Sequence, residues 1–151
     1  MKVNPNMFRG YDLRGVVNQD LNSEIVEHIG KAYGTFLNKR GIKMAVVGRD
    51  CRLTSEEYSE AVIKGIVSTG VDVVDIGLTM VGNFYWSQYH LNAKGGVMVT
   101  ASHNPSEYNG FKFAVDFSET MSEDQIQELR KIVEAEIYVK SEVIGKVKKQ
   151  N

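Results

Sequence analysis

Three short stretches of this chain gather residues able to do chemistry. The first is "TASHNPSEYNGFK", Thr100 to Lys112, which follows the apolar run "GGVMV". That run ends in a hydroxyl (Ser102), an imidazole (His103), an amide (Asn104) and a proline, and Lys112 comes ten residues after the hydroxyl, inside the next apolar run. A serine nucleophile for acyl transfer stands in Gly-x-Ser-x-Gly with a distant histidine. Here Ala101 and His103 flank Ser102, so that pattern is absent. The other chemistry open to an exposed serine among positive groups is to carry a phosphoryl group. Its charge of about −1.5 to −2 needs donors and cations around it. Arg14, His103 and Lys112 are candidates for that task, with Arg49 and Arg52 of "GRDCR" in second rank. The competing reading is a Ser-His-Asn-Pro turn that only ends a strand.

The second stretch is "FRGYDLRG", Phe8 to Gly15, with two arginines, Tyr11 and Asp12 between glycines. The planar fork of arginine suits phosphate because it offers two oxygens parallel hydrogen bonds. The competing reading is an arm whose Arg–Asp pairs only tie it to the body. The third stretch is "VGRDCRLTS", a polar run directly after an apolar one. Its Cys51 lies between Asp50 and Arg52 and reads as a plain loop cysteine. His28 and His90 fall inside helical segments and read as surface or satisfied residues. No His or Cys pair has metal-ligand spacing, and no Asp-x-Asp cluster occurs.

The elements that must position these groups follow from periodicity. Ile25, Val26, Ile29, Ala32, Tyr33, Phe36 and Leu37 recur at helical steps, with Asn22 or Ser23 as cap. "KMAVVGRD" reads as a short buried strand. "TSEEYSEAVIKGIVSTG" reads as a helix opened by Thr54 and Glu57 in capping-box spacing. "VDVVDIG" is a second strand and "MVGNFYWSQYHL" a third helix, its Phe84, Tyr85, Trp86 and Tyr89 packing on the sheet. "GGVMVTA" and "NGFKFAV" are two further strands joined at an Asn-Gly turn, and Ser122 with Gln125 opens a last helix. The order α-β-α-β-α-β-β-α calls for right-handed crossovers between parallel strands. It predicts an α/β fold, a three-layer α/β/α arrangement around a mixed four-stranded sheet: three parallel strands and one antiparallel edge strand. Residues 1–140 form the domain, and 141–151 read as a linker or frayed strand leading towards a missing second domain.

Length and composition exclude several classes. At 151 residues, 42% apolar and 25% charged, the chain suits one globular domain able to bury about 70% of its unfolded surface. A net charge of −1 argues against nucleic-acid or membrane partners. No run approaches the ~18 apolar residues of a membrane span. One cysteine and no leader-like start point to the cytoplasm.

"TASHNPSEYNGFK" resembles the active-site segment of the α-D-phosphohexomutases. "FRGYDLRG" is similar to the N-terminal signature of their phosphomannomutase/phosphoglucomutase branch, and "VGRDCRLTS" to the family's Gly-Arg-Asp-x-Arg segment. The three motifs stand in the family's order over about residues 6 to 136. The resemblance implies that Ser102 is a phosphoserine exchanging its phosphoryl group with a hexose phosphate through a hexose 1,6-bisphosphate. It implies a Mg²⁺ ion contacting that phosphate. It also implies catalytic roles for Ser102, His103, Lys112 and Arg14, and substrate-binding roles for Tyr11, Arg14, Asn104 and Lys112. Asn104 and Asn109 would shape the loop. Two departures accompany the likeness. "DIGLTMVGNF" lacks the family's Thr-Pro pair, and the metal-binding Asp-Gly-Asp-x-Asp-Arg and sugar-reading Gly-Glu-x-Ser-Gly-His loops of later domains are absent. The expectation is therefore the first domain of a four-domain mutase, inactive when isolated, or else a stand-alone, non-catalytic sugar-phosphate-binding module.

Overall fold

In the computed structural model, which describes residues 1–150, "FRGYDLRG" is not a loose arm. A 3₁₀ turn at Pro5–Met7 leads into a hairpin of Phe8–Arg9 (β1) and Asp12–Val16 (β2). Then come α1 (Ser23–Lys39), β3 (Met44–Arg49), α2 (Ser55–Ser68), β4 (Asp72–Leu78) and α3 (Val81–His90). The remainder is β5 (Gly95–Val99), β6 (Tyr108–Asp116), β7 (Glu119–Thr120), α4 (Glu123–Ala135) and β8 (Val147–Lys149). No helix is long and apolar enough to cross a membrane.

The strands form one mixed sheet in the order β1-β2-β6-β5-β3-β4-β8, with β7 attached to β6. β3 lies parallel to both β4 and β5, and β6 runs antiparallel to β5. The expected α/β class and its parallel trio with an antiparallel neighbour are therefore present. The four-strand count and the edge position of the antiparallel strand need correction. β2 covers β6 from Leu13↔Phe111 to Val16↔Tyr108, and β8 adds a parallel strand beyond β4. Neither addition carries a strand pattern long enough to read, and Val147–Lys149 is exposed at every position. The unpaired edges of β6 and β4 recruit them, an instance of context overriding propensity. The stretch read as a linker or frayed strand thus contains a strand. The Asn-Gly pair also moves: Asn109 and Gly110 lie within β6, paired with Gly15 and Arg14.

Helices α1, α2 and α4 cover one face, where Leu13, Val97, Phe111 and Phe113 meet Ile29, Tyr58 and Leu129. α1 and α2 cross with their backbones nearly touching. A Cβ on Gly65 would sit 2.1 Å from the Glu27 carbonyl oxygen, and one on Gly30 would sit 2.4 Å from that of Val62. On the other face α3 alone packs, setting Phe84 against Val46 and Met98. Of its four aromatic residues, only Phe84 and part of Tyr85 serve that packing. Trp86 and Tyr89 stand in solvent, stacked on His90 and Phe117, because about 100° per residue turns them away from the sheet. Asn22 caps α1 by accepting from the Ile25 N–H at 2.9 Å, and Ser122 with Gln125 makes the capping box of α4.

Tyr33 ties the layers together. Its fully buried hydroxyl accepts from the Gly96 N–H (2.8 Å) and donates to the Ala114 carbonyl (2.6 Å), two residues paired across β5 and β6. Burial raises its pKa well above the usual tyrosine value. The folded state therefore favours the protonated hydroxyl. That contribution is complete below the unfolded pKa of about 10 and is lost as pH climbs through the folded one. Tyr33→Phe removes both of these buried hydrogen bonds and should lose about 1–3 kcal/mol in urea unfolding at pH 7. The same variant should show a shallower loss of stability than the wild type above about pH 10.

Candidate active site

The loop 100–107 joins β5 to β6 at the carboxyl edge of the parallel strands, where open sheets bind ligands. Ser102 occupies its exposed turn with φ of 54°, in the left-handed region that side chains enter only under strain. Its N–H donates to Thr100 Oγ1 at 3.0 Å. Asn104 folds back, donating its backbone N–H (3.1 Å) and its side-chain Nδ2 (2.9 Å) to the Ala101 carbonyl. His103 is exposed and Ser102 half-buried.

The polar run after β3 supports this loop. The Arg52 guanidinium donates through Nη1 to the carbonyls of Pro105 (2.8 Å) and Tyr108 (3.0 Å). Through Nη2 it reaches those of Ser102 (3.1 Å) and Asn104 (2.7 Å). Asp50 backs it with Oδ2 at 3.4 Å from Nε, and Asp50 Oδ1 also accepts from the Arg52 N–H and the Ser55 hydroxyl. Asn109, fully buried in β6, donates to Thr54 Oγ1 (2.9 Å) and Ser55 Oγ (3.1 Å). Thr54 makes no side-chain cap on α2, contrary to its capping-box spacing with Glu57, because its hydroxyl serves Asn109 instead. Of the "GRDCR" arginines, Arg52 directs its guanidinium at these carbonyls, and Arg49 lies 3.8 Å from Glu56. Cys51 is an exposed loop residue.

Beside the loop, alternation along β2 and β6 decides which side chains face it. Leu13, Phe111 and Phe113 point into the core under α1, α2 and α4, so Arg14 and Lys112 point to the opposite face. α3 packs over β3 and β5 on that face and leaves the β2–β6 part without a helix. Asp12 holds Arg14 through Nε (3.1 Å) and Nη2 (2.8 Å). Lys112 stands opposite Met98 and forms no ion pair with any described residue. Arg14 and Asn104 line a common cavity of about 560 Å³ with Arg9, Asp12 and Tyr108. Tyr11 is set apart, 70% exposed at the hairpin tip. Among the described residues no three His, Cys, Asp or Glu side chains converge to hold a metal. These residues do not by themselves fit a Mg²⁺ site.

Fold and loop together define a three-layer α/β/α domain that presents a strained serine at its sheet edge, beside a face carrying Arg14 and Lys112. The chain belongs to the phosphoglucomutase/phosphomannomutase family: residues 5–140 match the model of "Phosphoglucomutase/phosphomannomutase, alpha/beta/alpha domain I". It is 39% identical over 145 residues to a phosphomannomutase of Vibrio cholerae, matching 94% of this chain and 31% of that protein. It is 41% identical over 128 residues to a phosphomannomutase of Klebsiella pneumoniae, matching 84% of this chain and 80% of that one. A crystal structure of a phosphoglucomutase/phosphomannomutase family protein from Burkholderia thailandensis superposes with a TM-score of 0.91 at 30% identity. The match covers 99% of this chain and 34% of that one. The chain thus spans about a third of the length of the Vibrio and Burkholderia proteins.

The backbone at residue 102 has a direct consequence for stability. Ser102→Gly should unfold at the same or a higher urea concentration than the wild type. Ser102→Val should lose about 1–2 kcal/mol, since a branched side chain is the least suited to the left-handed region.

Proposed function

We propose that this chain is the phosphoserine-bearing domain of a phosphomannomutase/phosphoglucomutase, interconverting hexose 1-phosphate and hexose 6-phosphate through a bound hexose 1,6-bisphosphate. The observation that carries the reading is Ser102 itself: in a chain of this family, a serine is held in a strained turn at the sheet edge, next to the sheet face that carries Arg14 and Lys112. In each transfer the Ser102 Oγ–P bond breaks and an O–P bond forms to the sugar hydroxyl. The hydroxyl proton leaves to a base, and the serine oxygen is reprotonated. The reverse transfer from the other position of the bisphosphate restores the phosphoserine.

Phosphoryl transfer is largely positioning and charge stabilisation, and the residues here divide that work. Lys112 and Arg14 supply positive charge from the sheet face, and His103 stands next to the phosphoryl carrier. Arg14, with Asn104 across its cavity, borders the space a sugar phosphate would enter. Mg²⁺ would supply Lewis-acid neutralisation of the phosphoserine, with its remaining ligands from a further mutase domain. The proposed setting is the cytoplasm, with further mutase domains as the partners that complete the cleft.

Incubation of the protein, as its gene encodes it, with hexose 1,6-bisphosphate should place phosphate on the Ser102 peptide, read by mass spectrometry. Ser102→Ala should take no label and lose mutase turnover. Turnover by that variant would overturn the assignment. Lys112→Met should lower the labelling rate by about 10²-fold, the scale of losing one fixed charge at a transition state. Residues 1–151 alone should give no isomerisation in a coupled assay with Mg²⁺. Binding of hexose phosphate by a natural short protein that is never labelled would instead favour the non-catalytic module.

A further inference from the structure

The Arg52 guanidinium touches no part of the open face, yet four of its hydrogen bonds end on the loop that carries Ser102 and on the first residue of β6. It is 16% exposed, backed by Asp50, and anchored to α2 through Ser55. Such a cation has a geometric effect on the loop beyond holding it in place. A trans peptide points its C=O and its following N–H in opposite directions, and the chain contains no cis bond. With the Ser102 carbonyl drawn to Arg52, the His103 N–H faces the opposite way. That N–H has no partner among the described residues, whereas the N–H groups of Ser102, Asn104 and Tyr108 are all internally bonded.

We propose that Arg52 is a positioning residue for the reaction at Ser102. By gathering the carbonyls of Ser102, Asn104, Pro105 and Tyr108 on one side of the loop, it turns the His103 N–H outward as a fixed donor for the phosphoryl group. The inference rests on the reading of Ser102 as the phosphoryl carrier. A backbone donor held this way needs no reorganisation as charge develops, which is how such groups stabilise transition states. Lysine cannot replace arginine here. Its ammonium carries three donors on a compact head and cannot span four oxygens in one plane as the fork does.

The test compares wild type, Arg52→Lys and Arg52→Ala in the protein as its gene encodes it. The readouts are the initial rate of Ser102 labelling by hexose 1,6-bisphosphate, steady-state kcat and KM for hexose 1-phosphate, and melting temperature. Arg52→Lys should melt close to the wild type, label roughly tenfold or more slowly, and lose kcat with KM within about twofold, as expected of a misplaced reacting group. Millimolar guanidinium added to Arg52→Ala should restore part of the labelling rate. Equal labelling rates in all three proteins, a loss confined to KM, or an Arg52→Ala protein that stays folded and is not rescued would each overturn the positioning role. A wild type that takes no label at Ser102 defeats the parent reading and this one with it. Its silence sets that outcome apart from the others.

Discussion

A cation surrounded by carbonyl oxygens is the interaction on which the edge of this domain depends. Arg52 is mostly removed from water, and hydrogen bonds from a charged donor contribute about 1.5–3 kcal/mol each. The carboxylate of Asp50, 3.4 Å from Nε, offsets the cost of burying the guanidinium. Through Asp50, Ser55, Thr54 and Asn109 the same network reaches the end of β3, the start of α2 and the interior of β6. The partners come from three separate parts of the fold, so the loop's shape is over-determined. That is the condition under which a serine persists at a positive φ.

The unequal cover of the sheet does the rest. Three helices bury one face, and the two phenylalanines of β6, Phe111 and Phe113, belong to that side. The opposite face receives α3 alone, over β3 and β5. Pleating then requires Lys112, which lies between two buried phenylalanines, to stand on the uncovered side, and the register with β2 brings Arg14 to the same side. An antiparallel partner for β6 is therefore not ornamental: without β2 the arginine would have no strand to fix its direction. The carboxylate of Asp12 further restricts Arg14 to one orientation.

Much of this was legible in the sequence, and the gaps have physical causes. The helices α1, α2 and α4 announce themselves because their apolar stripes are long and their ends carry readable caps. β3, β4 and β5 stand out as β-branched or apolar runs between helices. β2 and β8 do not, because each is short and is held by the edge it pairs with rather than by its own pattern. Thr54 shows how a local signal can mislead: its spacing to Glu57 is that of a cap, but a buried amide, Asn109, competes for the hydroxyl and wins. Ser102, His103, Arg14 and Lys112 were visible as chemical types. The supporting roles of Asp50, Arg52 and Ser55 were not, since periodicity cannot show which carbonyls a guanidinium will find. The hint for these was a polar run placed directly after a strand with a buried middle.

The outward turn of α3 has an optical consequence. Trp86 is the chain's single tryptophan, 63% exposed and stacked on His90 with ring centroids 4.7 Å apart. An indole already in water has little further red shift to undergo when the chain unfolds. The fluorescence of this protein will therefore report on one surface stack rather than on the core. Near-ultraviolet dichroism of the buried Tyr33 and Tyr58 is the better witness to the integrity of the layers.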